Sequence, residues 1–351
     1  MSETDKYISY SRVQAWRSCH ARHYWKYIEN LERLVAALPL ERGKVLHELL
    51  EKHLKGESWE QHLDVYRKDF DNLFEEQKAE LGNLPFDVEK LMRGYVKIHS
   101  KGIHKYPVVE YEFDVPLFEK GYLKDYQEAY RNSGYSFPDN IHFIGKIDAI
   151  TTVNNVSWIV EHKTTNRIPS EDVRFFDLQT VLYMYAIQNS ELGADYKPNG
   201  IMWDYIRTKA PVEPEMLSRG GLSKRKNIDT DYDTYLRTID KYHLDPAEYA
   251  DMLNMLREKP NTFYKRVYMP LAGNTLTNNL LEDFRLSALD IIINGSNDKV
   301  KNLSMLNCNN CDYKLLCQAE LTGGDIEFVK SQSYRVKEKR VRTDNNINNE
   351  L

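Results

Sequence analysis

Residues 141–163 read IHFIGKIDAITTVNNVSWIVEHK. Two runs, 141–150 and 156–163, are rich in Ile, Val and Trp, and each predicts a strand. The TTVNN between them is turn-like. Asn tolerates positive φ, so Asn154-Asn155 can form a two-residue hairpin turn. With the turn centred there, Asp148 falls directly opposite Glu161, and cross-strand neighbours stand about 4.5–5.5 Å apart at Cβ. Two carboxylates at that spacing repel unless a cation sits between them. Side chains alternate along a strand, so Glu161 and Lys163 share one face and His162 points away. Asp148, Glu161 and Lys163 therefore converge on one spot.

That spot has the chemistry for phosphodiester hydrolysis. Two carboxylates offer hard oxygen ligands to Mg²⁺ or Mn²⁺. The ion would polarise a phosphoryl oxygen and acidify a bound water. The Lys163 ammonium would orient that water or stabilise charge on the phosphate. The plainer reading is a surface hairpin whose Lys163 neutralises Glu161. The pattern alone does not separate the two; the rest of the chain does.

The chain has 351 residues, enough for one large domain with insertions or for two domains. A hydrophobic content of 41% and a mean hydropathy of -0.64 suit a soluble globular protein. No apolar run approaches the length of about 20 residues that spans a membrane. MSETDKYISYSR lacks the apolar core of a signal peptide, so a cytoplasmic location is expected. The net charge of -5 excludes a molecule that is basic throughout, so any DNA contact has to come from a local basic stripe. The 24 tyrosines suit base stacking and ordinary packing alike.

Four cysteines are present: Cys19, Cys308, Cys311 and Cys317. Three form C-x2-C-x5-C, with Asn309, Asn310 and Asp312 making a polar turn around them. Disulfides are not expected in a reducing cytoplasm. Four thiolates can close one zinc site or hold one iron–sulfur cluster. Because Cys19 is far from the triplet in sequence, such a centre would staple the two ends of the chain, with metal–thiolate bonds offsetting the entropy of closing a long loop.

In chain order, Ser9 or Ser11 can cap a helix running through RVQAWRSCHARHYWKYI, with Cys19 inside it. The next segment reads as a loop or short helix ending at Pro39. Gly43 opens a second helix that Gly56 closes. His47 sits beside its apolar stripe, either as a packed histidine or as a ligand that would tilt the metal preference toward Mn²⁺. Residues 57–105 read as an inserted helical subdomain, and 106–116 as a strand. Glu110 or Glu112 on that strand could add a carboxylate, although a solvated face is commoner. GYLKDYQEAYRNSGYSFPDN reads as a loop. RFFDLQTVLYMYAIQNS reads as a helix on which Gln179 and Tyr183 share a face. A strand is predicted over 200–207. It leads to a basic stretch with Arg207, Lys209, Arg219, Lys224, Arg225 and Lys226, a solvated loop or a grip on DNA phosphates. Residues 229–258 look helical, NTFYKRVYMPL like a strand, and TNNLLEDFRLSALDIIING like a long helix. From about Lys330 onward the composition predicts a disordered tail.

Together these pieces resemble the RecB-like branch of the PD-(D/E)XK nucleases, and most of all its iron–sulfur exonucleases: CRISPR-associated RecB-like nucleases, exonuclease V, the AddB nuclease domain and related phage proteins. The family's G-x3-H falls on Gly43 and His47, its aspartate on Asp148, its (D/E)-x-K on Glu161, His162 and Lys163, and its Q-x3-Y on Gln179 and Tyr183. The resemblance implies an α/β, restriction-endonuclease-like mixed sheet flanked by helices, with 1–329 a single nuclease domain and 330–351 a tail. It implies His47, Asp148, Glu161 and the carbonyl of His162 as ligands of Mn²⁺ or Mg²⁺, and Lys163 as the catalytic lysine. It further implies a 4Fe–4S cluster on Cys19, Cys308, Cys311 and Cys317, with the 300–321 segment closing it against Cys19. Many relatives carry Pro after the first cysteine where this chain has His20.

The implied activity is a metal-dependent exonuclease acting on single-stranded DNA or DNA ends, alongside recombination or replication proteins and as a monomer or an oligomer. The alternatives are a DNA-binding recombination or CRISPR-adaptation partner with endonuclease or incidental nuclease activity, and a zinc-stapled structural protein.

Overall fold

Asn154 and Asn155 both take left-handed backbone, with φ of +50° and +63°. Asn tolerates that region, and two consecutive residues in it match the twist of the strands they join. The strands pair antiparallel in the register that this turn dictates, from Val153 with Val156 to Ala149 with Val160. One step further along lie Asp148 and Glu161.

The computed structural model describes residues 6–99, 105–133, 137–170, 177–271 and 274–337. The chain divides into two compact units. One comprises Met1–Ala37, Asp114–Gly145 and Asn274–Leu351; the other comprises Leu38–Phe113 and Lys146–Gly273.

The first unit opens with β1 (Tyr7–Ile8) and α1 (Tyr10–Ser18). The Ser9 hydroxyl accepts from the Arg12 N–H and caps α1. The helix does not run through Cys19 as the periodicity predicts. Cys19 is extended, at φ -171°, and the chain resumes as α2 (His20–His23) and a π-helical turn, Tyr24–Ile28. Cys19 thus stands between two helices. β2 follows (Leu31–Arg33).

The second unit begins with α3 (Leu38–Leu54), which starts before Gly43 and includes Pro39. A proline in the first turn lacks only an N–H that has no helical partner there, so Pro39 opens this helix where a loop was expected to end. Next come α4 (Trp59–Asp71), α5 (Glu75–Leu81) and α6 (Leu84–His99). They bury Trp59, Leu63, Leu81, Val88 and Met92 against Val45, Leu46, Leu49 and Leu50 of α3.

β3 (Lys105–Pro116) then changes phase. Its exposed positions are Lys105 and Pro107 before Glu110, but Glu112, Asp114 and Pro116 after it. Glu110 has φ +58°, and this one left-handed residue kinks the strand and shifts its alternation. In the first unit, α7 (Lys124–Asn132) occupies part of the segment read as a loop. Tyr126 and Tyr130, four apart, pack on Phe137 and give that helix its face.

β4 (His142–Val153), β5 (Val156–Thr165), β6 (Gly200–Arg207) and β7 (Tyr264–Pro270) follow, with α8 (Leu178–Gln188) between β5 and β6, and α9 (Tyr232–Lys241) and α10 (Ala250–Glu258) between β6 and β7. Residues 174–176 of the helix expected around Gln179 lie outside the described residues. The strand order is β1-β4-β5-β6-β7, with β3 also on β4. β5 and β6 are parallel, whereas β4–β5 and β6–β7 are antiparallel. β6 is buried from Gly200 to Ile206, in keeping with a central strand covered on both faces. This mixed α/β arrangement, a central sheet flanked by helices, is the one the resemblance implies.

The first unit closes with α11 (Asn274–Asn294), α12 (Met305–Cys308), α13 (Lys314–Thr322), α14 (Ile326–Ser333) and β8 (Tyr334–Val336). Residues 330–336 are therefore structured, contrary to the tail predicted from composition. β8 pairs with β2, and Tyr334 packs with Trp25, Leu31, Tyr313 and Leu316 while its hydroxyl donates to the Asp312 carbonyl. A few apolar anchors outweigh the polar average of the segment. The remainder of the expected tail, 338–351, lies outside the described residues. Among the described residues no helix is long and apolar enough to cross a membrane.

The turn can be tested directly. Asn155→Ala removes the short polar side chain that lets this residue tolerate left-handed backbone and is expected to cost about 1–2 kcal/mol in urea unfolding, whereas Asn155→Gly should be neutral or slightly stabilising.

Candidate active site

The alternation of β5 delivers Glu161 and Lys163 to one face, and α8 lies against β6 with Gln179 and Tyr183 on its buried side. Lys163 Nζ donates to Glu161 Oε1 at 2.7 Å and to Gln179 Oε1 at 3.1 Å. Gln179 Nε2 donates to Glu161 Oε1 and to the Tyr183 hydroxyl, both at 2.8 Å. Glu161 Oε1 is thus doubly satisfied. Its other oxygen, Oε2, is buried with no hydrogen-bond partner. A buried carboxylate oxygen without a donor is unfavourable, and a cation is one way to satisfy it.

The second carboxylate is held differently. Asp148 Oδ2 accepts the His162 N–H at 2.7 Å, and Oδ1 lies 3.3 Å from His47 Nδ1. His47 thus reaches Asp148. Ligand atoms of His47, Glu110 and Asp148 lie within 4.8 Å of one another, close enough to share one ion. Glu110, ranked as secondary beside Glu112 in the sequence, is the strand carboxylate that arrives. The phase shift at its own backbone explains why: strict alternation would give both glutamates the same face. Glu112 is exposed, while Glu110 is partly buried and ion-paired with Lys146.

The two central carboxyls are driven apart in acidity. Burial opposes ionisation of Asp148, but the hydrogen bond and charge of His47, together with His162, pull its pKa below the usual range. Glu161 is pushed up by burial and by the charge of Asp148, which outweigh Lys163. Burial would lower the pKa of His47, but Asp148 and then Glu161 raise it. An imidazole, two or three carboxylates and an orphan carboxylate oxygen suit a divalent ion with mixed nitrogen and oxygen ligands.

The four cysteines are free. They line one cavity of about 200 Å³, together with Arg22, Lys301 and Lys314. Among the described residues they do not form a set with the close mutual spacing of His47, Glu110 and Asp148. Burial, with Cys311 and Cys19 nearby, pushes the Cys317 thiol up to about 11, and burial also raises Cys311. The Asn302 N–H donates to Cys19 Sγ at 3.4 Å. His20 stacks on Trp16 with ring centres 3.7 Å apart and pairs with Asp298 at 2.8 Å.

The basic stretch is mixed. Arg207 makes a two-pronged pair with Asp229, at 2.8 and 2.7 Å, and lies over the Phe263 ring. Lys224 donates to the Glu248 carbonyl and lies over Tyr249. Lys209, Arg225 and Lys226 are exposed.

A family model for the PD-(D/E)XK nuclease superfamily matches residues 7–318. Comparison with curated proteins finds no match.

The raised Glu161 pKa sets a pH dependence. A carboxyl whose folded pKa exceeds its unfolded value contributes stability below the unfolded value of 4.5, and that contribution is lost as pH rises through about 7. Metal-free protein should therefore lose stability between pH 5 and 8 more steeply than Glu161→Gln does. Mn²⁺ should raise the parent's Tm more at pH 8 than at pH 6, because it no longer competes with that proton. Calorimetric melts across this range check both.

Proposed function

The chain belongs to the PD-(D/E)XK nuclease superfamily, whose members cleave nucleic acid with divalent metal ions, and from that premise we propose a DNA exonuclease of the RecB-like iron–sulfur branch. Its substrate in this reading is single-stranded DNA or a DNA end. The observation that carries the reading is the hydrogen-bonded network of Glu161, Lys163, Gln179 and Tyr183 beside the buried Asp148, with one glutamate oxygen left for a cation.

In this reading His47, Asp148 and Glu161 hold Mn²⁺ or Mg²⁺ with the carbonyl of His162, and Glu110 joins them. When bound, the ion polarises the scissile phosphoryl group and acidifies a water. Lys163 stabilises charge developing on the phosphate, since Glu161 and Gln179 fix its ammonium in place. Tyr183 and Gln179 set the rotamer of Glu161 through the shared amide. Lys209, Arg225 and Lys226 contact the phosphate backbone, while Arg207 and Lys224 brace the loop that carries them.

Cys19, Cys308, Cys311 and Cys317 hold a 4Fe–4S cluster. Supporting this is the cavity of about 200 Å³ that all four line. A lone zinc ion would draw four sulfurs to about 2.3 Å from itself. The extended break at Cys19 releases that residue from the helical repeat.

Lys163→Ala and Asp148→Ala should abolish Mn²⁺-dependent digestion of DNA in folded protein; full activity in either would reject the site. Labelled linear DNA should be degraded from an end while a closed circle survives, and cutting of the circle would overturn the exonuclease. Tight DNA binding without metal-stimulated cleavage would favour the partner-module reading. Anaerobically purified protein should be brown and contain iron, and Cys19→Ser should lose both colour and iron. Colourless protein with stoichiometric zinc would replace the cluster by zinc.

A further inference from the structure

On the face of β5 away from Glu161 and Lys163, three neighbouring strands present one polar side chain each, in register. His162 pairs with Asp204 across β5 and β6, and Asp204 pairs with Arg266 across β6 and β7. Asp204 is fully buried in the otherwise apolar run of β6. Its Oδ2 accepts the Tyr95 hydroxyl at 2.6 Å and lies 3.3 Å from His162 Nδ1 and 3.4 Å from Arg266 Nε. His99 Nε2 stands 3.8 Å from its other oxygen. Arg266 in turn donates to the Tyr95 and Tyr106 hydroxyls.

A buried ionic row of this kind adds little net stability over well-packed apolar residues. Its position requires another account. The residue it faces, His162, donates its backbone N–H to Asp148 Oδ2 at 2.7 Å. His162 therefore meets a carboxylate on both sides: its Nδ1 lies 3.3 Å from Asp204, outside hydrogen-bond geometry, and its backbone N–H donates to Asp148. We infer that Asp204, backed by Arg266, is a positioning residue for the metal site: by fixing the His162 ring it fixes the β5 backbone there, and with it the orientation of Asp148. This rests on the nuclease reading above. Partners that orient ligands from behind commonly account for about 10–100-fold in metal affinity.

The test is Mn²⁺ titration calorimetry on the metal-free full chain, paired with melts to verify folding. Asp204→Asn is expected to weaken Mn²⁺ binding about tenfold or more, and His162→Gln to do the same. Combining them should add little, because both break one chain of contacts. Tyr95→Phe removes the hydroxyl that bonds this carboxylate and Arg266 but keeps the ring that lies edge-on to His162. It should lower the Tm yet leave Mn²⁺ affinity within about threefold of the parent, well short of the range expected when an orienting partner is lost. A folded Asp204→Asn that binds Mn²⁺ like the parent overturns the inference, as do fully additive losses. Should Asp204→Asn not fold, His162→Gln carries the same decision. A parent that binds no Mn²⁺ removes the nuclease reading itself and this inference with it, a result distinct from unchanged affinity in the variants.

Discussion

Two buried carboxylates meet across a two-residue turn, and much of the second unit makes that encounter tolerable. Leaving either one uncompensated would cost several kcal/mol, on the order of the whole stability of a domain. The compensation is unequal. Asp148 has an imidazole and a backbone N–H, which favour its charge. Glu161 has an ammonium and an amide on one oxygen and nothing on the other. One carboxyl stays ionised while its neighbour tends to keep a proton. The asymmetry leaves a place where two positive charges are more welcome than one.

The central strands act as precise supports because each serves two faces at once. On β5 the residues at 161 and 163 enter the hydrogen-bonded network with Gln179 while the one between them enters the core. On β6 Trp203 lies beneath Lys163, with the ammonium 5.6 Å from its ring centre, while Asp204 faces the opposite side. A side chain on a doubly buried strand cannot wander, so groups fixed on strands are placed more accurately than groups on loops.

How much of this the sequence revealed depends on the kind of signal. The hairpin was legible because Asn154-Asn155 fixes the register locally, and the register alone brings Asp148 to Glu161. Gln179 and Tyr183 were legible because helical spacing needs no tertiary information. That Glu110 and not Glu112 arrives was not, because a one-residue change of phase in β3 has no marker in its composition; only the left-handed φ of a glutamate reveals it. Nor was the fate of Arg207, whose partner Asp229 becomes a neighbour only once the chain has folded back. Asp204 looked like one polar residue in an apolar strand, and its meaning lies in Tyr95, His162 and Arg266, drawn from three separate stretches. The break at Cys19 and the early start of α3 at Leu38 were missed for a simpler reason: periodicity locates helices better than it locates their ends.

The interleaving of the two units bears on how the molecule is made. The unit that contains Cys19 draws on three separated portions of the chain, the last beginning at Asn274. On a ribosome its first portion emerges early and must wait, with Trp16, Trp25 and Leu31 lacking their eventual neighbours. The other unit, complete by Gly273, can assemble while synthesis continues. Vectorial production therefore favours finishing the hairpin-bearing half before the cysteine-bearing half can close. A nascent chain halted between these points would hold a folded hairpin centre and one solitary thiol.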